Sequence, residues 1–198
     1  MAYGMRPTTH GGYQYNTGGF EEFKIADNYA TSIFNGDLVT LVNAGTIERY
    51  TTALGPTPGV YTSTAAVPVA PALGVFVGCR YTDSNSTPAW AQMWTASGGT
   101  NAAGFVVTDP STVFRAQYSA ATWNDNLVGE LCDVTIAAGN SDTGNSGNSI
   151  PATATNGGLR IVGVIRDGKN ETASVLTPDI LVRWSSPTST LYGYQTAV

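Results

Sequence analysis

From residue 20 onward the apolar positions fall in short bursts of four to eight residues, each closed off by turn-forming residues. The clearest case runs Asn35-Gly36-Asp37, then Leu38-Val39-Thr40-Leu41-Val42, then Asn43-Ala44-Gly45, then Thr46-Ile47-Glu48-Arg49-Tyr50. Strand, glycine-containing loop and strand in that order predict a β-hairpin. Residues 73–79 form the most apolar stretch of the first half, and 81–88 are turn chemistry throughout, so a second hairpin is expected with its return strand over 89–95. Within that return strand Trp90 and Trp94 share parity, which places them on one face. Residues 20–25, 104–108, 112–117, 159–165 and 179–184 read as further strands.

The remaining segments break this pattern. Residues 124–133 predict the one short helix, with Asp125 as its cap and Leu127, Val128 and Leu131 at helical spacing. Pro56, Pro58, Pro68 and Pro71 each remove a backbone donor, so 51–72 is expected to be a Pro-rich surface excursion. Residues 139–158 are Gly, Ser, Asn and Thr with almost no apolar content, and are expected to be a mobile surface loop. Residues 1–19 carry five glycines among Tyr3, Met5, Tyr13 and Tyr15 and follow neither period. They read as an extended N-terminal arm that orders on a partner, the plainer reading being a frayed terminus. The expected fold class is all-β: one compact β-sandwich or β-barrel of short strands over 20–198, with at most one short helix.

Composition narrows the function. Of 198 residues only 12% are charged, and 14 acidic against 9 basic side chains leave a net charge of −5. The basic residues are dispersed, which argues against nucleic acid as a partner. No run of apolar residues is long enough for a membrane helix, and no secretion signal is legible in the first 16 residues, so neither membrane nor export is expected. His10 is the single histidine and lies in the flexible arm, where no Ser-His-Asp constellation can be held rigid. Glu48, Glu130, Asp83 and Asp179 are the carboxylates that distant strands could pair, but no spacing favours them. Asp27, Asp37, Asp83, Asp109 and Asp167 sit beside turn residues and are expected to cap their own backbone. Cys79 and Cys132 match no metal or redox spacing and read as buried, reduced thiols. Asp142 has no EF-hand context. No catalytic residue, cofactor or metal site is therefore expected, and the protein is read as a non-enzyme.

Aromatic residues are what remains. Trp90, Trp94, Trp123 and Trp184 with ten tyrosines suit a sugar-stacking face, a protein interface, or the filling of a thin β core.

Four stretches carry a family likeness: Ala2-Tyr3-Gly4-Met5-Arg6-Pro7, Gly36-Asp37-Leu38-Val39, the run from Gly74-Val75-Phe76-Val77-Gly78-Cys79 through Arg80-Tyr81-Thr82-Asp83-Ser84, and Leu159-Arg160-Ile161-Val162-Gly163. In these the chain resembles head decoration, or capsid cement, proteins of tailed bacteriophages, particularly short-tailed phages such as cyanophages. The resemblance implies a β-rich virion subunit, commonly a homotrimer, made in the host bacterial cytoplasm. It would bind the outer surface of the capsid and reinforce contacts between major capsid protein subunits. No catalytic residue is carried over. On that reading the arm contacts the capsid through Tyr3, Met5, Arg6, Pro7, Tyr13 and Tyr15, and deleting residues 2–16 is expected to leave the fold intact. The alternative from another class is a glycan-binding β-sandwich of a tail fibre, spike or adhesin.

Overall fold

The hairpin expected around Gly45 is present in the computed structural model, which describes residues 2–8, 19–51, 72–120, 123–151, 153, 158–165 and 177–185. Strands β3 (Leu38–Leu41) and β4 (Ile47–Arg49) pair antiparallel. At the turn, Gly45 adopts φ +73° and donates its N–H to the Val42 carbonyl at 2.9 Å. The other strands are β1 (Arg6–Pro7), β2 (Glu21–Lys24), β5 (Ala72–Thr82), β6 (Pro88–Ala91), β7 (Thr100–Val107), β8 (Phe114–Gln117), β9 (Leu131–Cys132), β10 (Leu159–Val164) and β11 (Asp179–Trp184). Asp83 fixes the β5–β6 turn by accepting the Asn85 and Thr87 N–H groups at 2.8 and 2.9 Å.

The strands form two antiparallel sheets. One has the order β1-β8-β11-β10-β9; the other runs β2-β7-β5-β3-β4, with β6 also paired to β5. Neither closes on itself, so the fold is all-β and sandwich-like rather than a barrel. Leu38, Val75 and Val107 of the six-stranded sheet meet Phe114, Ile161, Ile180 and Val182 of the five-stranded one in a shared core. The opposite face of the six-stranded sheet is covered as well: Val39, Phe76, Cys79 and Val106 pack with Ile25, Ile33 and Trp94 from irregular segments. Burial on both sides is why residues 73–79 read as a continuous apolar run rather than an alternation.

Four sequence expectations need correction. The helix over 124–133 is a single 3-10 turn, Asp125–Leu127, capped by the Asn124 side chain, and Leu131–Cys132 is strand β9. The edge pairing of Cys132 with Leu159 buries that end as sheet, which a short, isolated helix has no packing partner to match. Trp90 and Trp94 do not share a face: β6 ends at Ala91, the chain bends, and Trp94 instead exchanges backbone hydrogen bonds with Ile33. Residues 139–151 are not a mobile surface loop, since Ser146, Asn148, Ser149 and Ile150 are buried. Their backbone is satisfied by Asn35, Thr135 and Gln117, which supplies from elsewhere the ordering energy the segment lacks by itself.

The fourth correction concerns the arm. Residues 2–8 form a strap built into the domain: Arg6 and Pro7 pair with Arg115 and Phe114, and Met5, 1% exposed, lies in the shared core. Gly4 and Gly36 make this possible. Both adopt positive φ, +75° and +94°, and a Cβ on Gly4 would lie 2.5 Å from Ser146 Cβ and 2.6 Å from Gly36 O. Only glycine allows the two backbones to approach so closely. Residues 9–18, the Pro-rich stretch 52–71 and the turn at 167–170 lie outside the described residues.

Candidate interaction surface

The buried polar chemistry of the described residues is spent on the frame. Asp37, fully buried, accepts from Ser146 Oγ at 2.6 Å and from the Phe34 N–H at 2.9 Å, and its Oδ2 stands 2.9 Å from Arg49 Nε. Arg49 also donates to the Ala137 carbonyl and lies over the Phe34 ring. This hub joins the Asn35-Gly36 turn, β4 and residues 137–148, and the strap passes over it through the Met5 N–H bond to Gly36 O at 3.1 Å. Burial raises the Asp37 pKa above its ordinary value despite the Ser146, Phe34 and Arg49 contacts.

A second cluster pins the strap from the other side. Tyr3 donates to Asp179 Oδ1 at 2.7 Å and accepts from Arg115 Nε at 3.0 Å, while Arg115 and Asp179 form an ion pair. Burial and the Asp179 carboxylate raise the Tyr3 hydroxyl pKa.

Of the residues expected to form the capsid-contacting arm, Tyr3, Met5, Arg6 and Pro7 are thus integrated in the fold. Met5 faces the core, whereas Tyr3, Arg6 and Pro7 are half-buried. Tyr13, Tyr15 and His10 lie outside the described residues. Asp83 and Asp109 cap their own turns as expected, whereas Asp27 does not cap its own backbone but accepts the Asn101 N–H from the start of β7, 74 positions away. Asp37 caps its own turn through the Phe34 N–H and in addition joins distant segments through Ser146 and Arg49, and Asp179 serves the strap. Cys79 and Cys132 are buried free thiols, and burial pushes both up to about 12. Among the described residues no group of three His, Cys, Asp or Glu side chains is placed to hold a metal ion, and no helix is long and apolar enough to cross a membrane.

The tryptophans divide. Trp94, Trp123 and Trp184 are buried, so for them the core-filling reading holds, whereas Trp90 is 73% exposed. The register explains what surrounds it. Lys24 pairs with Ala103, Ala103 with Arg80, and Arg80 with Trp90, giving one row across β2, β7, β5 and β6. In the next row Glu22 pairs with Phe105 and Phe105 with Gly78. The alternate residues Phe23, Cys79, Tyr81, Ala91 and Val106 pack into the second core cluster, so these two rows occupy the opposite face. That face enters the shared core at Val75 and Val107 and becomes exposed further along.

On the exposed part three aromatic rings adjoin. Trp90 stacks on Phe105 with centroids 5.6 Å apart and planes 15° apart, and Phe20, 53% exposed, tilts against Phe105 at 4.8 Å. Gly78 lies between β6 and Phe105 at φ +152°, where a Cβ would stand 3.2 Å from Ala91 O and 3.8 Å from the Phe105 ring. With no side chain there, the two rings lean together over β5. Beside them Arg80 and Glu22 form an ion pair, and a shallow groove of about 430 Å³ is lined by Glu22, Lys24, Arg80, Asn101, Ala102 and Ala103. Sequence reasoning missed this surface because its parts are separated by up to 85 positions and neither Glu21–Lys24 nor Thr100–Val107 carries an apolar–polar alternation that would mark the face. Comparison of the chain with protein-family models, with curated proteins and with solved structures gives no match.

Proposed function

We propose that this protein is a non-catalytic virion subunit that attaches to the outer surface of a phage capsid as a homotrimer and reinforces contacts between major capsid protein subunits. The observation that carries the reading is where the four resembling stretches fall. They form the strap with β1, the hub turn with β3, the central strand β5 with its turn, and β10. The likeness therefore covers the framework of the fold. The commitment of Asp37, Arg49, Arg115 and Asp179 to cross-braces within the subunit supports a structural rather than catalytic role. Threefold presentation would multiply weak individual contacts through effective concentration. Because residues 2–8 brace the domain, the capsid-reaching part of the N-terminus is assigned to residues 9–18, with Tyr13 and Tyr15 as anchors. Trp90 alone among the tryptophans favours the glycan-binding alternative.

Sedimentation of the full-length chain should give three copies of the 20.6 kDa subunit. Purified particles should carry the protein on their surface by immunogold labelling. A Tyr13→Ala, Tyr15→Ala double variant should remain folded and lose particle attachment. Absence of the chain from intact particles would refute the reading.

A further inference from the structure

We propose that the row from Trp90 through Arg80 and Ala103 to Lys24 binds an oligosaccharide bearing carboxylate groups. The site is independent of capsid attachment, and nothing in that role requires it.

Trp90 rests one indole face on Phe105 and is 73% exposed, so its other face is open. An indole braced in this way offers a flat apolar platform that loses little conformational entropy when a pyranose C–H face settles on it. Single exposed apolar side chains need no explanation, but Trp90, Phe105 and Phe20 are contiguous. The adjoining groove is unlike the centre of a protein–protein interface, where charged residues are depleted. It is floored by alanines and rimmed by Glu22, Arg80, Asn101 and Lys24. A carboxylate, a guanidinium, an amide and an ammonium supply the acceptors and donors that a polyhydroxylated ligand requires. The Arg80–Glu22 pair holds two of them in place beforehand.

The ligand's charge follows from Lys24. Glu22 is neutralised by Arg80, whereas Lys24 makes no ion pair among the described residues, leaving one cation to be matched. The strand spacing of about 4.8 Å puts Lys24 roughly 14 Å from Trp90, so a ligand reaching both has one ring on the indole and a carboxylate two or three rings further along at the ammonium. A single-stranded nucleic acid also stacks on tryptophan, but Glu22 beside the row and a net charge of −5 oppose repeated phosphates.

The full-length chain is titrated with trigalacturonic acid and, separately, with neutral cellotriose. Trp90 is the solvent-exposed indole among the described residues, so the long-wavelength part of the emission reports on it. Saturable quenching by the acid is expected, with a dissociation constant on the order of 1 mM or tighter. By calorimetry Trp90→Ala should abolish binding, Trp90→Phe should keep part of it, and Lys24→Gln should weaken the acid at least about tenfold, a change of 1.4 kcal/mol. Far-ultraviolet circular dichroism checks that each variant is folded, and the exposed Lys24→Gln change keeps the test intact should Trp90→Ala misfold. No saturable signal, unchanged binding by Trp90→Ala, or equal affinity for cellotriose would overturn the proposal. Loss of particle attachment by Trp90→Ala without any sugar binding would likewise overturn it and make the aromatic face a protein contact.

Discussion

Replacing Met5 by alanine separates a strap built into the core from an arm appended to it. Met5 is 1% exposed and packs in the shared core with residues from both sheets. Truncating a buried methionine to alanine loses its transfer free energy and leaves a cavity, at a cost of about 2–5 kcal/mol. The flanking backbone makes collapse of that cavity difficult. Gly4 donates to Asn148 O at 3.2 Å and Met5 to Gly36 O at 3.1 Å, while Arg6 and Pro7 are held in register with β8. A cost clear of the bottom of the range is therefore expected, about 3–4 kcal/mol. For a domain of this size each kcal/mol shifts Tm by about 2–4 °C, so Met5→Ala should melt roughly 6–16 °C below the parent. The assay is denaturant and thermal unfolding followed by circular dichroism, with the exposed Leu41→Thr as a control expected to stay within about 0.5 kcal/mol. Deletion of residues 2–8 should be more severe still. A Met5→Ala variant as stable as the control would refute the strap and restore residues 2–8 to a detachable arm.

Two further predictions concern titration. Burial raises Asp37 in the folded state, so the folded chain holds this proton more tightly than the unfolded chain does. Its contribution to stability is therefore greatest below the ordinary value of 3.8 and declines as pH rises from there through the raised value. In Asp37→Asn, which cannot ionise, that decline should be missing when denaturant unfolding is compared with the parent over the same pH series; parallel profiles would contradict the assignment. Cys79 and Cys132 follow the same sign at alkaline pH. With both thiols raised from 9.0 to about 12, their stabilising contribution is complete below pH 9 and is lost between pH 9 and 12. The slope should be up to about 1.4 kcal/mol per pH unit for each thiol. At pH 8 the native protein should leave both thiols unmodified by Ellman's reagent and expose them on unfolding. Rapid native labelling would show that burial does not protect them.

The legible parts of this fold were those whose cause is local. The β3–β4 hairpin was readable because Gly45 and the flanking alternation lie within a dozen residues, and β10 and β11 because apolar runs in them stop at turn-forming residues. Residues 139–151 misled because glycine, serine and asparagine signal a mobile loop only while no other segment satisfies them. Here Asn35, Asp37 and Gln117 do so from far along the chain. The parity of Trp90 and Trp94 misled for the opposite reason: alternation predicts a shared face only within one unbroken strand, and β6 stops at Ala91.

By itself, then, the sequence determined that the chain is all-β, where most strands lie, and that its cysteines are core thiols, because period-two patterning, turn chemistry and apolar surroundings act over a few neighbouring residues. Tertiary structure alone decided that Met5 is core, that Asp37 is a hub, and that Lys24, Arg80, Phe105 and Trp90 share one face. Each of these depends on which segments, tens of residues apart, meet and in what register they pair, and the pattern within one segment does not name its partner.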